Sequence, residues 1–367
     1  MFRNKICFLT ESLSPESGWG RYSLGLIKAL SEKGVKCKVL TQKGVKNQPI
    51  DGVEILDIIH STPHSFLKSL IFDYLRIKKR VRDCYLIHSL IEPYAPLAYL
   101  LSGRKPFFIT AHGTYAVNCF NKRKLRFLFQ KVFKKAQVIF AVSNFTKKRI
   151  LSKISVDNIR VINNGIDYQK FQISPDFKKS NGQVKIILSV GVLKARKGYH
   201  VSIPAIAQVK KIFKNLKYYI VGNQSDSNYF QKLKKLVRRF HLEDLVIFLK
   251  DLSDNDLIKL YYQSDLFLLT PININDNFEG FGLAYLEAGA SGRPVIGTYN
   301  CGAEEAIKDG HNGFLVPQND SKKTAEAIIK ILKDKNLAQR LGEKGRQKAQ
   351  IMDWQNISQN YLNLYNL

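Results

Sequence analysis

Residues 265–298 constrain the fold more than any other stretch of the chain. The apolar run 265–270 reads as a buried strand. A polar loop follows over 271–278. Then Gly280 and Gly282 flank Phe281, and the pattern turns helical. Leu283, Leu286, Glu287 and Ala290 fall on one helical face by the i, i+3, i+4, i+7 rule. The next strand, 294–297, is entered through Gly292, Arg293 and Pro294. Strand, glycine loop, helix, strand is the unit from which α/β sheets are built.

Two features of this stretch point to chemistry. Glycines at a helix start let backbone N–H groups approach an anion, and the helix dipole favours negative charge there. Glu287 lies about a turn and a half into the helix on its apolar side. A buried carboxylate is costly without a partner. A sugar diol supplies two hydroxyl donors; a neighbouring Lys or Arg would also serve, and the residues alone leave both open.

The rest of the chain repeats the pattern. Its 367 residues suggest two domains. A first strand over 5–10 leads to a loop with Pro15, Ser17, Gly18 and Gly20, a helix over 21–33 and a strand over 35–41. Such a loop is where doubly wound folds bind phosphates. Two amphipathic basic helices are predicted over 65–82 and 121–135. Between them, a strand over 106–110 places His112 and Gly113 at the ligand edge of a parallel sheet. A strand over 137–143 precedes Asn144 and a helix over 145–151. Residues 169–183 read as a linker. The second half opens with a strand over 185–191, a loop carrying Arg196, Lys197 and Gly198, and a helix through 214. Strands over 217–221 and 246–249 enclose a helix over 229–240. Helices over 321–333, 336–350 and 354–367 close the chain.

The run around Glu279 and Glu287 resembles the E-x7-E signature of family-4 retaining glycosyltransferases. Other segments are similar to that family in the same order. The 17–22 loop resembles G-G-x-G-R-Y, with Ser17 replacing the first glycine and Gly18 matching the second. His112–Gly113 resembles the H-G loop, 143–147 the S-x-x-x-K segment, and 159–167 the N-N-G-[VI]-D segment. Lys197 and Gly198 match G-R-L-x-x-x-K-G, although Val192 stands where the family has arginine and Arg196 is the adjacent cation. Lys250 stands in place of a glycine, and Glu304 in place of a proline before Glu305. Residues 312–317 resemble the N-G-x-L-V-P turn. The resemblance runs from 17 to 354.

It implies an α/β GT-B fold: two doubly wound Rossmann-like domains facing across a cleft. Residues 1–168 would bind acceptor, with 352–367 packing back on them, and 169–351 would bind donor. The implied reaction is retaining, metal-independent transfer of a hexosyl unit from a nucleotide-diphosphate sugar, without a covalent nucleophile. Glu287 would hold the ribose hydroxyls. Arg196 and Lys197 would stabilise the diphosphate. Backbone N–H groups of Gly280, Phe281, Gly282 and Leu283 would meet the sugar or distal phosphate. Glu279 would fix a sugar hydroxyl and the charge near the oxocarbenium-like centre, and His112 would meet the sugar. Gly18 and Gly20 would lie near the donor phosphates, and Asn144 would line the cleft. No cofactor and no metal are expected beyond the UDP-, GDP- or ADP-sugar donor.

Charge points to a further partner. The net charge is +28, and residues 1–180 hold 32 Lys and Arg against 12 Asp and Glu. A partner dense in negative charge belongs with that half: an anionic membrane surface or a lipid-linked or glycan acceptor. No run of about 18 uncharged apolar residues is present, so no membrane span is expected, and the first strand is too short for a signal peptide. Five scattered cysteines without a CxxC pair predict a reducing compartment, no disulfide framework and no metal site. The expected location is cytoplasmic, or peripheral at the inner face of the membrane, in cell-surface polysaccharide synthesis of a bacterium. The alternatives are a sugar-nucleotide epimerase of similar architecture and a basic nucleic-acid-binding protein. The second is disfavoured because the cations are spread over helices without interleaved aromatics, and nucleic acid is not an expected partner.

Overall fold

A computed structural model describes residues 5–60, 70–121, 123–172 and 184–366. The chain forms two compact units: 1–165 together with 353–367, and 166–352.

The first unit contains β1 (Lys5–Leu9), β2 (Lys36–Gln42), β3 (Val53–Ile59), β4 (Cys84–Ser89), β5 (Phe107–Ala111), β6 (Val138–Ala141) and β7 (Ile159–Val161). They form one sheet in the order β3-β2-β1-β4-β5-β6-β7, every pair parallel. Central strands such as β1 and β5 are apolar on both faces because helices cover both sides. The order reverses between β1 and β4. In an open parallel sheet that reversal parts the neighbouring loops at the C-terminal edge and leaves a crevice for ligand.

Several predicted helices change in extent; the one expected to run through 214, for example, ends at Lys210. The first begins at Gly18, not at 21, and runs Gly18–Glu32. Ser17 caps it, its Oγ accepting the Gly20 N–H at 2.9 Å, so the first turn absorbs the two glycines read as loop. At Gly20 an added Cβ would lie 2.3 Å from the Ser14 carbonyl, so the close approach needs glycine. Of the predicted 65–82 helix, Leu70–Ile77 is helical and 78–83 turns, while 65–69 lie outside the described residues.

The helix Trp354–Tyr365 completes this unit. Its Trp354 ring packs where side chains at Gly25 and Gly165 would stand, with a Cβ at either coming within 2.0 or 2.4 Å of the indole. The Tyr22 and Tyr361 hydroxyls bond at 2.7 Å. Full burial keeps the His88 ring neutral, well below its usual titration range, held between the hydroxyls of Tyr365 and Thr110.

The second unit holds β8 (Lys185–Val190), β9 (Leu216–Val221), β10 (Val246–Leu249), β11 (Leu266–Leu268), β12 (Val295–Thr298) and β13 (Gly313–Val316). The parallel order is β10-β9-β8-β11-β12-β13, reversing between β8 and β11. Residues 312–317, read as a turn, contain β13. The helix Leu283–Ala290 packs against Lys335–Ile351 backbone to backbone, with an added Cβ at Gly289 only 3.0 Å from the Gly345 carbonyl.

Candidate functional site

The second sheet's reversal brings together two loops far apart in sequence. One follows β8, the other β11. After β8 the chain makes a 3-10 turn, Ala195–Lys197, then Gly198 at φ +73° opens the helix Tyr199–Lys210. An added Cβ at Gly198 would lie 1.7 Å from the Thr270 carbonyl, in the loop after β11. That contact, which only glycine permits, registers one loop on the other.

The result is a charged triad. Lys197 Nζ lies 2.6 Å from Glu279 Oε2, and Arg196 Nη1 lies 3.2 Å from the same oxygen. Lys197 and Glu279 are 9% and 8% exposed, so water screens them little. Burial alone would raise the Glu279 carboxyl, but Lys197 and then Arg196 outweigh it and hold the group below its usual range. Burial, reinforced by Arg196, lowers the Lys197 ammonium below its usual value against the pull of Glu279. A single carboxylate serves two cations, which leaves the triad net positive at a sheet's ligand edge.

Glu287 lies in the helix Leu283–Ala290 and is 3% exposed. The Tyr261 hydroxyl donates to its Oε2 at 2.7 Å. Gly282, at φ +89°, starts that helix with the Tyr285 ring lying where its side chain would stand. Gly280 and Phe281 are buried, and the Phe281 ring belongs to the core, so only its backbone is placed to meet a ligand.

In the first unit, Gly18 is exposed with open space at its Cα, unlike Gly20. Asn144 is the exposed first residue of the helix Asn144–Leu151, capped by Ser143. His112 follows β5 directly. Its ring Nε2–H donates to the Leu90 carbonyl at 2.7 Å, and its backbone N–H donates to Glu92 Oε1 at 2.6 Å. The Tyr22 ring meets the imidazole edge-on at a centroid distance of 4.5 Å. Burial pulls His112 down to about 4, so at neutral pH the ring is uncharged and Nδ1 carries a lone pair. Burial also pushes the Glu92 carboxyl up to about 7, against the surrounding backbone N–H groups.

Sequence reading missed two residues. Tyr261 lies on the unpredicted helix Asp254–Gln263. Glu92 stands in the most apolar part of the first half, and an acid there is itself the signal of a buried polar role.

Residues 17–170 match the family model of Glycosyltransferase Family 4, and residues 171–348 match that of Glycosyl transferases group 1. An uncharacterized glycosyltransferase of Methanocaldococcus jannaschii is 26% identical over 90% of this chain and 89% of its own. N-acetyl-alpha-D-glucosaminyl L-malate synthase of Bacillus anthracis is 29% identical over 73% of this chain and 70% of its own. Among solved structures, Anabaena HepE in complex with UDP and glucose superposes with TM-score 0.81 at 19% identity, covering 99% of both chains. Sucrose-phosphate synthase of Thermosynechococcus elongatus does so with TM-score 0.83 at 21% identity, over 99% of this chain and 98% of its own. At such identities the likeness speaks for the fold, two parallel α/β sheets of the GT-B kind.

Proposed function

The chain belongs to the glycosyltransferases, its first half to family 4 and its second to group 1, and from that premise we propose a retaining, metal-independent hexosyl transfer from a nucleotide-diphosphate sugar to a glycan or lipid-linked acceptor. The observation that carries the reading is the convergence of Arg196 and Lys197 on Glu279 at the reversal of the second sheet.

Transfer needs the anomeric C–O bond to the diphosphate to break, and negative charge grows on the departing phosphate oxygen. Lys197 is a buried cation and Arg196 a partly exposed one, both held on Glu279, so they meet that charge with little reorganisation. N–H groups at the start of Leu283–Ala290 add to it. Glu279 holds a sugar hydroxyl and opposes the positive charge growing at the anomeric carbon. Glu287, oriented by the Tyr261 hydroxyl, accepts from the ribose hydroxyls. Uncharged His112 accepts a substrate hydroxyl through Nδ1, a role a lone pair can fill for a hydroxyl but not for a phosphate oxygen.

A lipid-linked acceptor at an anionic membrane is supported by the first unit's surface. Ile71, Phe72 and Leu75 on one helix and Phe127 on another are 69%, 72%, 53% and 77% exposed, with Arg76 and Arg126 exposed beside them. No helix among the described residues is long and apolar enough to cross a membrane.

Thermal shifts against UDP-, GDP- and ADP-sugars and the bare nucleotides come first, followed by turnover with the donor that binds. Lys197→Ala is expected to cost on the order of 10²–10³ in rate with little loss of folding, and turnover is expected to persist in chelator. Near-normal turnover in Lys197→Ala would sink the assignment. A changed sugar nucleotide without acceptor would identify an epimerase instead.

A further inference from the structure

Glu92 is fully buried, 0% exposed, in the loop after β4, beside the point where the first sheet reverses. It forms no ion pair with any described cation, and its Oε2 has no hydrogen-bond partner. Burying a carboxyl this way is costly, and an apolar side chain of similar volume would pack without that cost. An orphaned buried oxygen requires an explanation other than packing.

The Glu92 carboxyl lies among the backbone N–H groups of His112, Gly113 and Ala116, and its short hydrogen bond is to His112. Oε1 takes the His112 backbone N–H at 2.6 Å, while the Leu90 carbonyl, two residues before Glu92, takes the ring Nε2–H at 2.7 Å. One short segment therefore grips His112 by backbone and ring together. Immediately after it, Gly113 sits at φ +128°, a backbone conformation that favours glycine. We propose that Glu92 is a positioning residue: it anchors the His112 backbone so that the ring keeps its Nε2–H on Leu90 and offers its Nδ1 lone pair to substrate. The proposal rests on the reading of His112 as the acceptor of a substrate hydroxyl. A carboxyl serving only to stabilise the loop would have no reason to set the ring's tautomer.

Nitrogen-15 NMR of the histidine rings in the full-length protein tests this, with the His112 signals identified by their loss in His112→Ala. Wild type and Glu92→Gln, whose amide oxygen still accepts, are expected to show one tautomer, Nε2–H, titrating at about 4. Glu92→Ala, and the milder Glu92→Asp, which is too short to reach, are expected to show both tautomers with titration moved toward 6.5. An unchanged His112 spectrum in either folded variant overturns the proposal.

Hydrolysis of UDP-glucose and GDP-mannose then gives a double-mutant cycle. Glu92→Ala is expected to lower kcat/KM roughly 10–100-fold in wild type and less than about twofold in His112→Ala. Equal losses in both backgrounds overturn the proposal while leaving His112 its role. A neutral His112→Ala overturns the reading of His112, and with it the proposal.

Discussion

Glu279 gives one oxygen to both Lys197 and Arg196, so the protein's own carboxylate occupies the cations that a diphosphate would need. Glu279→Gln is therefore expected to bind bare UDP or GDP roughly tenfold more tightly, about 1.4 kcal/mol, while transferring sugar more slowly. Calorimetry and turnover on the same variant check this; weaker nucleotide binding would mean the carboxylate does not compete. Glu92 allows a second expectation. With its folded carboxyl at about 7 against an ordinary 4.5, the stability this group contributes is present below pH 4.5 and lost as pH rises through 7. Glu92→Gln should thus be more stable than wild type at pH 8, by up to about 3 kcal/mol, with the gain fading toward pH 4.5. Urea unfolding at several pH values measures it, and a gain that does not vary with pH would count against the buried charge. At this scale sequence spacing names residue types but not contacts. Lys197 and Glu279 are 82 positions apart, and nothing local says that Lys197 and Arg196 share that carboxylate. The Tyr261 partner of Glu287 was equally invisible from spacing.

Elements were more legible where pattern and punctuation agreed. The strand Val246–Leu249 and the helix Ser321–Lys333 have the bounds their sequences predict. Elsewhere local signals competed. Gly18 and Gly20 read as loop, but Ser17 caps a helix over them. β3 shows no strand pattern in sequence because its two acids, Glu54 and Asp57, stand three positions apart and break period-2 alternation at an edge of the sheet. Gly313 read as a turn, although its lack of a side chain is what lets β13 lie against β12: an added Cβ would stand 2.3 Å from the Val295 carbonyl. The turn at Gly198 shows how much one element can depend on a missing atom. Gly198→Ala forces a left-handed residue and a clash with Thr270 together, and should cost about 1–3 kcal/mol or more and abolish donor binding. Thermal unfolding and nucleotide titration of the variant check both, and normal nucleotide affinity would show that the two loops need no such register.

For the molecule as a whole, charge is the property that reaches furthest. Exposed aromatic and aliphatic side chains share the first unit with most of the chain's surplus cations. Each cation near an anionic bilayer contributes about 1 kcal/mol, so the full protein is expected to float with phosphatidylglycerol vesicles at low salt. It should be released as ionic strength rises, and Phe72→Ser with Phe127→Ser should weaken retention. Indifference to such vesicles at low salt would remove the membrane from the proposal.

The path of the chain sets an order of assembly. The polypeptide begins the first unit, builds the whole second unit, and only then supplies Trp354 and its helix to the slot between Gly25 and Gly165. On a ribosome, synthesis proceeds from one end, so the early sheet must wait with an uncovered greasy flank until the codons for Trp354–Tyr365 are read. A message cut short there would yield a finished back half joined to an unfinished front, a product that chaperones and proteases can recognise by its missing lid.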